Sequence, residues 1–317
     1  MGAESVAGLV GARAADLAFY SPYYFLRHLP AKRQQELFGT GAAARWGRQP
    51  GEETYSAPGS TDVRWLWQAL PWDSAYFGTP MLRLFTGLFG PEALPAVLTQ
   101  AAVGLREHLA ARHPAFYAFS IVPAEDVRLF QALTGAGWRL VETRLTFYRS
   151  ELANFQFPAF PVRGAGVGDA AHVGGIAATA RNPYDRFHAD PWFGLERADA
   201  YLARYAENTV SAGLATTVLV PDEPGLPIDS FLAISDLAHD AEALGTRLSR
   251  VLLTAVGPAN RGWHLRLTAE TLRRAQALGH EAVLMTTQAT NHAVFRTVEK
   301  LGFRLGATSH VLACNSH

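Results

Sequence analysis

The stretch Thr254-Ala-Val-Gly-Pro-Ala-Asn-Arg-Gly-Trp-His-Leu-Arg-Leu-Thr-Ala-Glu270 decides how the chain is read. Its first residues close an apolar run that begins at Leu248. Gly-Pro and Arg-Gly then break the strand, and a helix opens after them. A strand, a tight turn and a helix start therefore follow one another directly. The first amides of such a helix have no intrahelical acceptor, and the turn from Arg261 to Arg266 offers them outward, an arrangement suited to a diphosphate. The helix dipole and the two arginines favour an anion further.

On the C-terminal side of this stretch the helix runs to Leu278. A strand from Ala282 to Thr287, a helix from Asn291 to Lys300 and a strand after Gly302 follow. On the N-terminal side, strand-like runs cover Thr216 to Val220, Ile228 to Ser235 and Leu248 to Val256. They are separated by the turn-rich Pro221-Asp-Glu-Pro-Gly225 and by Leu244-Gly-Thr. Helices are expected from an N-cap at Asp169 and from Glu196 to Val210. Before them Asn154 to Pro161, with two prolines among aromatics, reads as an extended connection.

An earlier unit alternates strand (Met81 to Leu88), helix (Pro91 to Arg112), strand (Phe116 to Val122), helix (Ala124 to Ala136) and strand (Gly137 to Tyr148). Leu133-Thr-Gly-Ala-Gly-Trp138 and Lys300-Leu-Gly-Phe303 both end a helix with glycine and an aromatic that opens a strand, the mark of a duplicated fold. The expected architecture is α/β: a mixed, twisted sheet with helices on both faces. Residues 1–62 are a helical extension, broken at Pro22 and Pro30, with a linker from Trp46 to Asp62; residues 63–155 are a partial unit, and residues 156–317 a complete one.

Composition narrows the function classes. The 28 basic and 28 acidic residues cancel, without the surplus that nucleic-acid or anionic-membrane binding needs. The single cysteine, Cys314, excludes a disulfide framework, a four-cysteine zinc site and a CxxC pair, and fits a reducing compartment. No apolar run approaches the ~20 residues of a spanning helix, and no secretory leader opens the chain. His239 and Asp240 are adjacent, so they project differently, and no third ligand is spaced to join them in a metal site. The expectation is a cytoplasmic protein acting on a small molecule, without metal, nucleic acid or membrane as partner; a homodimer and a monomer are both left open.

The order Val256-x-Pro258-x-x-Arg261-Gly262, a long helix, Gly279 and a strand, then Asn291 and Glu299-Lys-Leu-Gly-Phe303, resembles the Gcn5-related N-acetyltransferase (GNAT) family. The resemblance implies the GNAT fold, with a partial GNAT-like unit before the complete one, and acetyl-CoA as acyl donor. It implies that Arg261, Gly262, Trp263, His264, Leu265 and Arg266 hold the pyrophosphate. It also implies that Thr254, Ala255 and Val256 bind the pantetheine through their backbones, in a strand that splays from its neighbour, and that Asn291 touches the cofactor from a helix start. Leu70-Pro-Trp-Asp-Ser-Ala-Tyr-Phe-Gly78, Arg186-Phe-His-Ala-Asp-Pro-Trp-Phe193, Tyr205-Ala-Glu-Asn208 and Thr287-Gln-Ala-Thr-Asn291 are similar to TDP-fucosamine acetyltransferase and its relatives. That narrower likeness implies a nucleotide-linked 4-amino-4,6-dideoxy sugar as acceptor, with Arg186, Asp190 and Gln288 near it.

Two departures bear on mechanism. His264 and Arg266 stand where the family's loop is normally small, and glycine there lets backbone approach phosphate without a Cβ in the way. Val298 stands where the family commonly has a tyrosine that protonates the departing thiolate, and valine has no proton to give. A thiol of pKa near ~8.5 is a good leaving group, so positioning and backbone N–H groups near Val256 supply much of the catalysis expected here. His188 is the first candidate for a base, with Asp185, Asp190 and Glu207 in neighbouring segments; a packing role for His188 is the competing reading. Trp67, Trp72, Tyr76 and Phe77 either stack on a ligand or fill the core. The functional expectation is acetyl transfer to an amine, the sugar nucleotide first, with an antibiotic, polyamine or peptide terminus as alternative acceptors. A non-catalytic acyl-CoA-binding protein is the reading from another class.

Overall fold

A computed structural model describes residues 3–56 and 63–316. They fall into two compact units, one running up to Thr143 and taking in the chain from Ala307 onward, the other Arg144–Gly306. The first opens with α1 (Ala3–Ala12), α2 (Ala14–Leu17), α3 (Ala31–Leu37) and α4 (Thr40–Ala44). There follow β1 (Glu52–Tyr55), β2 (Val63–Ala69), α5 (Pro71–Phe77), β3 (Met81–Phe89), α6 (Pro95–Arg112), β4 (Tyr117–Pro123), α7 (Val127–Gly135) and the start of β5 (Arg139–Ser150). The second unit holds the rest of β5, then β6 (Val162–Gly164), α8 (Ala170–Thr179), α9 (Arg186–Ala189), α10 (Leu195–Ser211), β7 (Thr217–Pro221), β8 (Ser230–Ser235) and α11 (Ala238–Leu244). It continues through β9 (Leu248–Val256), α12 (Trp263–Ala277), β10 (Ala282–Gln288) and α13 (His292–Lys300) to β11 (Arg304–Asn315), whose later part belongs to the first unit.

In the first unit the strand order is β1-β2-β3-β4-β11, with β3 and β4 parallel and the other pairs antiparallel. α6 and α7 cover one face through Leu98, Ala102, Leu105, Leu129 and Leu133, packed on Trp65, Trp67 and Leu84. Trp67 and Phe77 are therefore core residues, whereas Trp72 stays exposed. The helices before β1 pack on the sheet with Val10, Leu17 and Ala43 against Leu66 and Leu88, forming a second core cluster of this unit. The expected linker from Trp46 needs correction: β1 lies inside it, where Glu52–Tyr55 pairs with Trp65–Gln68. Its last residues, 57–62, lie outside the described residues.

The second unit has the order β5-β10-β9-β8-β7-β6, parallel only between β9 and β10. α12 and α13 cover one face, on Leu232, Ile234, Val251, Val283 and Met285. α8 and α10 cover the other, on Val218, Val220, Phe231 and Ala233. Successive strand side chains point to opposite faces, and this two-residue alternation carries both cores in continuous apolar runs. No helix among the described residues is long and apolar enough to cross a membrane.

Candidate functional site

The parallel pair at the centre of the second unit comes apart. β9 and β10 pair from Leu248↔Ala282 to Val251↔Met285 and no further, although β9 continues to Val256 and β10 to Gln288. The parting coincides with a bulge. β8 pairs Ile234 with Val251 and Ala233 with Leu253, so Leu252 is an extra residue on β9. An extra residue bends the bulged strand, and here it turns β9 away from β10.

The hydrogen-bond alternation then fixes which backbone groups face the gap. The Gly257 N–H donates to the Asp229 carbonyl at 2.7 Å, and Val256 stands opposite Ser230. Positions alternate along an antiparallel pair, so Val256 and Thr254 direct their N–H and C=O groups away from β8, toward the edge that β10 has left. Ala255 gives its backbone groups to β8 and is buried. Two of the three residues expected to bind through their backbones therefore face the fork. Thr254 also donates its hydroxyl to the Phe231 carbonyl at 2.9 Å.

At the end of β9 the chain turns through Pro258–Asn260 into α12. Gly262 is the N-cap residue, with φ +93°, and has no side chain to cap with. The amides of Trp263, His264 and Leu265, the first turn, accordingly have no capping side chain and lie at the positive end of the dipole. Arg261 is exposed and makes no hydrogen bond or ion pair among the described residues, leaving a cation beside these donors.

The side chains of this turn go elsewhere. Trp263 is buried under the sheet with Leu265 packed beside it. The His264 imidazole bonds through Nδ1 to the Thr297 hydroxyl at 2.8 Å, between α12 and α13. Burial lowers its pKa to about 4, so it is neutral. Arg266 stacks 4.9 Å above the Trp263 ring and pairs with Glu223 at 3.2 Å. The two large residues at the normally small positions thus leave the amides open, and the turn presents backbone.

Sequence reasoning passed over the residues that hold this turn. The Asp229 carboxylate accepts from the Ala259 N–H at 2.8 Å. Buried Asn260 accepts from the Asp229 N–H at 2.9 Å and the Ser230 hydroxyl at 2.8 Å, and donates to the Pro227 carbonyl at 3.0 Å. The signal available was an asparagine ahead of Arg-Gly, a residue type that bonds backbone in turns. Gly257 lies so close to Asp229 that a Cβ there would fall inside the carboxylate's van der Waals surface. Gly257→Ala is therefore expected to cost about 1–3 kcal/mol by overpacking, read as a lower urea midpoint.

The expected acceptor-side residues separate. Gln288, at the end of β10, accepts from the Asn182 amide at 2.7 Å, which ties the loop before α9 to the mouth of the fork. Asn291 caps α13 through the Val294 N–H and donates to the Thr287 hydroxyl at 3.1 Å. Arg186 and Asp190 are buried: the guanidinium lies 4.4 Å over Phe187, and the carboxylate accepts from the Trp192 N–H at 3.1 Å. Val298 is in the core between α12, α13 and the sheet.

His188 requires a correction. Its side chain is almost wholly buried, with Nδ1 2.7 Å from Asp185 and Nε2 3.1 Å from Asp199, which also pairs with Arg181. Desolvation opposes its charge, but the two carboxylates outweigh it and raise the pKa. An imidazole bonded at both nitrogens has no lone pair to offer as a base; it clamps α9 to α10. Because the folded-state pKa is raised, the stabilisation is complete below the unfolded value of about 6.5 and is lost as pH climbs through the folded one. His188→Gln should destabilise the chain at pH 6 more than at pH 9, by thermal melts at both values.

No protein-family model matches the chain, and no curated protein is similar to it in sequence. Solved structures are. A GCN5-related N-acetyltransferase from Sphaerobacter thermophilus is similar over 98% of this chain and 94% of its own, with TM-score 0.55 at 13% identity. A functionally unknown conserved protein from Staphylococcus epidermidis ATCC 12228 is similar over 78% and 90%, with TM-score 0.50 at 12% identity. A tandem GNAT protein from the clavulanic acid biosynthesis pathway is similar over 98% and 95%, with TM-score 0.49 at 14% identity. The chain has the GNAT fold: an open mixed sheet flanked by helices.

Proposed function

We propose that the second unit binds acetyl-CoA and transfers its acetyl group to an amine. The observation that carries this reading is the fork between β9 and β10, with the free backbone groups of Thr254 and Val256 along one edge and the uncapped first turn of α12 at its end. An extended amide-bearing chain ending in a diphosphate needs just these parts in this order: a strand edge to pair with, then a cluster of N–H donors at a positive dipole. Arg261 adds an exposed charge for the phosphates. Acetyl-CoA supplies an activated acyl group. Around it, the Thr254 and Val256 backbones would orient the donor, and an N–H on the fork's edge would stabilise charge on the acyl oxygen.

The acceptor would approach on the face opposite α12. Val283 and Met285 of β10 pack under α12, so the alternating residues Thr286 and Gln288 belong to the other face. There Leu284 is fully buried and Thr286 is exposed, with its hydroxyl 2.9 Å from that of Thr146 on β5. A polar, hydroxyl-lined approach suits a sugar-like amine, and a nucleotide-linked 4-amino-4,6-dideoxy sugar is the acceptor we propose first. Val298 is apolar and buried, so solvent returns the proton to the departing thiolate.

Calorimetry with acetyl-CoA, followed by detection of free thiol over a panel of amines that includes amino-sugar nucleotides, tests both levels. Absence of acetyl-CoA binding removes the proposal. Thiol release with other amines but not with the sugar removes only the acceptor.

A further inference from the structure

The fork in the second unit has a twin in the first. β3 and β4 pair in parallel from Met81↔Tyr117 to Leu84↔Ser120 and stop, although both strands continue. β3 carries the same bulge: Trp67 pairs with Leu84 and Leu66 with Thr86, leaving Phe85 as the extra residue, the counterpart of Leu252. Counted from the matched pairs, Phe89 is the counterpart of Val256, and Asp126, N-cap of α7, that of Asn291, N-cap of α13.

The twin is filled by the chain's own N-terminal segment. Arg13, at the start of α2, donates Nη1 to Asp126 Oδ1 at 3.1 Å and Nη2 to Oδ2 at 2.5 Å, with its guanidinium 4.1 Å over the Phe89 ring. The Tyr20 hydroxyl donates to the same carboxylate at 2.7 Å and accepts from the Thr86 hydroxyl at 3.1 Å. The Tyr20 ring packs edge-on against Phe85, which is itself stacked on Trp46. Arg13 and Asp126 are each 1% exposed. The loop after β3, where the second unit offers amides, here offers carbonyls: Gly90 and Ala93 accept from Arg128 at 3.5 and 2.5 Å. The helix that follows has proline in its first turn, which removes one donor.

We infer that the first unit's strand fork is a guanidinium-binding site, built from Asp126, Phe89, Tyr20 and Thr86 and occupied by Arg13 as an internal ligand. The duplicated cleft has the opposite electrostatic sense to its twin. A carboxylate replaces the neutral Asn291, and an aromatic face that attracts cations replaces Val256. Such a site holds a planar cation by a bidentate carboxylate and a ring face, and Pro95 leaves the helix start beside it one N–H donor fewer than its twin. The extension before β1 is thereby a bound segment of the first unit, and the inference stands whether or not the second unit transfers acetyl groups.

The test is chemical rescue. Arg13→Ala leaves Asp126 buried without its counter-ion, and Tm is expected to fall on the order of 10 °C. Guanidinium chloride at about 20 mM, far below denaturing strength, should raise the variant's Tm by several degrees over an equal concentration of sodium chloride, and leave the wild type unmoved. Arg13→Ala with Asp126→Asn, which keeps the α7 cap, should lose that rescue. If Arg13→Ala does not fold in sodium chloride, recovery of its folded signal in an equal concentration of guanidinium chloride, and not when Asp126→Asn is added, gives the same comparison. Equal guanidinium effects on wild type and variant, a Tm change under about 1 °C for Arg13→Ala, or rescue that persists without Asp126 would each overturn the inference.

Discussion

Replacing Gly262 with aspartate is expected to weaken CoA binding about 100-fold while leaving the chain close to its original stability. Gly262 has φ +93°, which glycine adopts freely and aspartate tolerates better than most residues, with open space where a Cβ would stand. An aspartate there supplies what the N-cap position lacks, a side-chain acceptor for the amides of His264 and Leu265. The cap contributes about 1 kcal/mol, of the same order as the backbone strain it offsets. The anion loses two donors to the new carboxylate and meets a negative charge at the same point. At roughly 1.5 kcal/mol for each charge-assisted bond, about 3 kcal/mol of binding disappears, the equivalent of about two decades in Kd. Gly262→Asn caps without charge and should lose only about one decade, and the gap between the two variants should narrow as salt screens the carboxylate. Titration calorimetry beside urea unfolding separates the effects. Undiminished CoA affinity in Gly262→Asp would show that the first turn of α12 does not hold the anion.

The part of the site built from local backbone was the part legible in sequence. The strand Leu248–Val256 and the turn into a helix at residue 263 follow from an apolar run, a Gly-Pro break and an Arg-Gly start, all within one short window. The repeated glycine and aromatic after α7 and α13 announced the duplication. What depends on chain segments meeting at a distance was not legible. β1 is a strand because Trp65 and Trp67 lie beside it, against its own Gly-, Glu- and Thr-rich surroundings. α11 is not legible because its seven residues begin after Leu237, a leucine at φ +49° that no local preference suggests. His188 looked like a base since nothing in its neighbourhood reveals that Asp199, on another helix, closes the second nitrogen. The contents of the first fork were invisible for the same reason: Arg13 and Asp126 are 113 residues apart.

His264 links stability, acidity and the anion site, and its expected signature lies at acid pH. The imidazole enters the core at the second residue of α12, and burial holds its pKa at about 4. Its Nε2 is buried and has no hydrogen-bond partner among the described residues, so a proton added there finds no acceptor among them. In the unfolded chain the same group titrates near 6.5. Between those values the unfolded state binds more protons than the folded one, so stability falls as pH drops through the window and levels off near pH 4. The neutral form carries no such penalty above pH 6.5. At pH 4.5 the loss is about 2–3 kcal/mol, taking roughly 1.4 kcal/mol for each unit of difference. His264→Gln does not titrate there, so its stability relative to wild type should improve by about that amount between pH 7 and pH 4.5, in urea unfolding at both values. The imidazolium can also relieve its burial by swinging out of the core, past the first-turn amides. Wild-type CoA affinity should then fall faster toward pH 4.5 than that of His264→Gln; parallel pH profiles for the two proteins would detach the imidazole from the site.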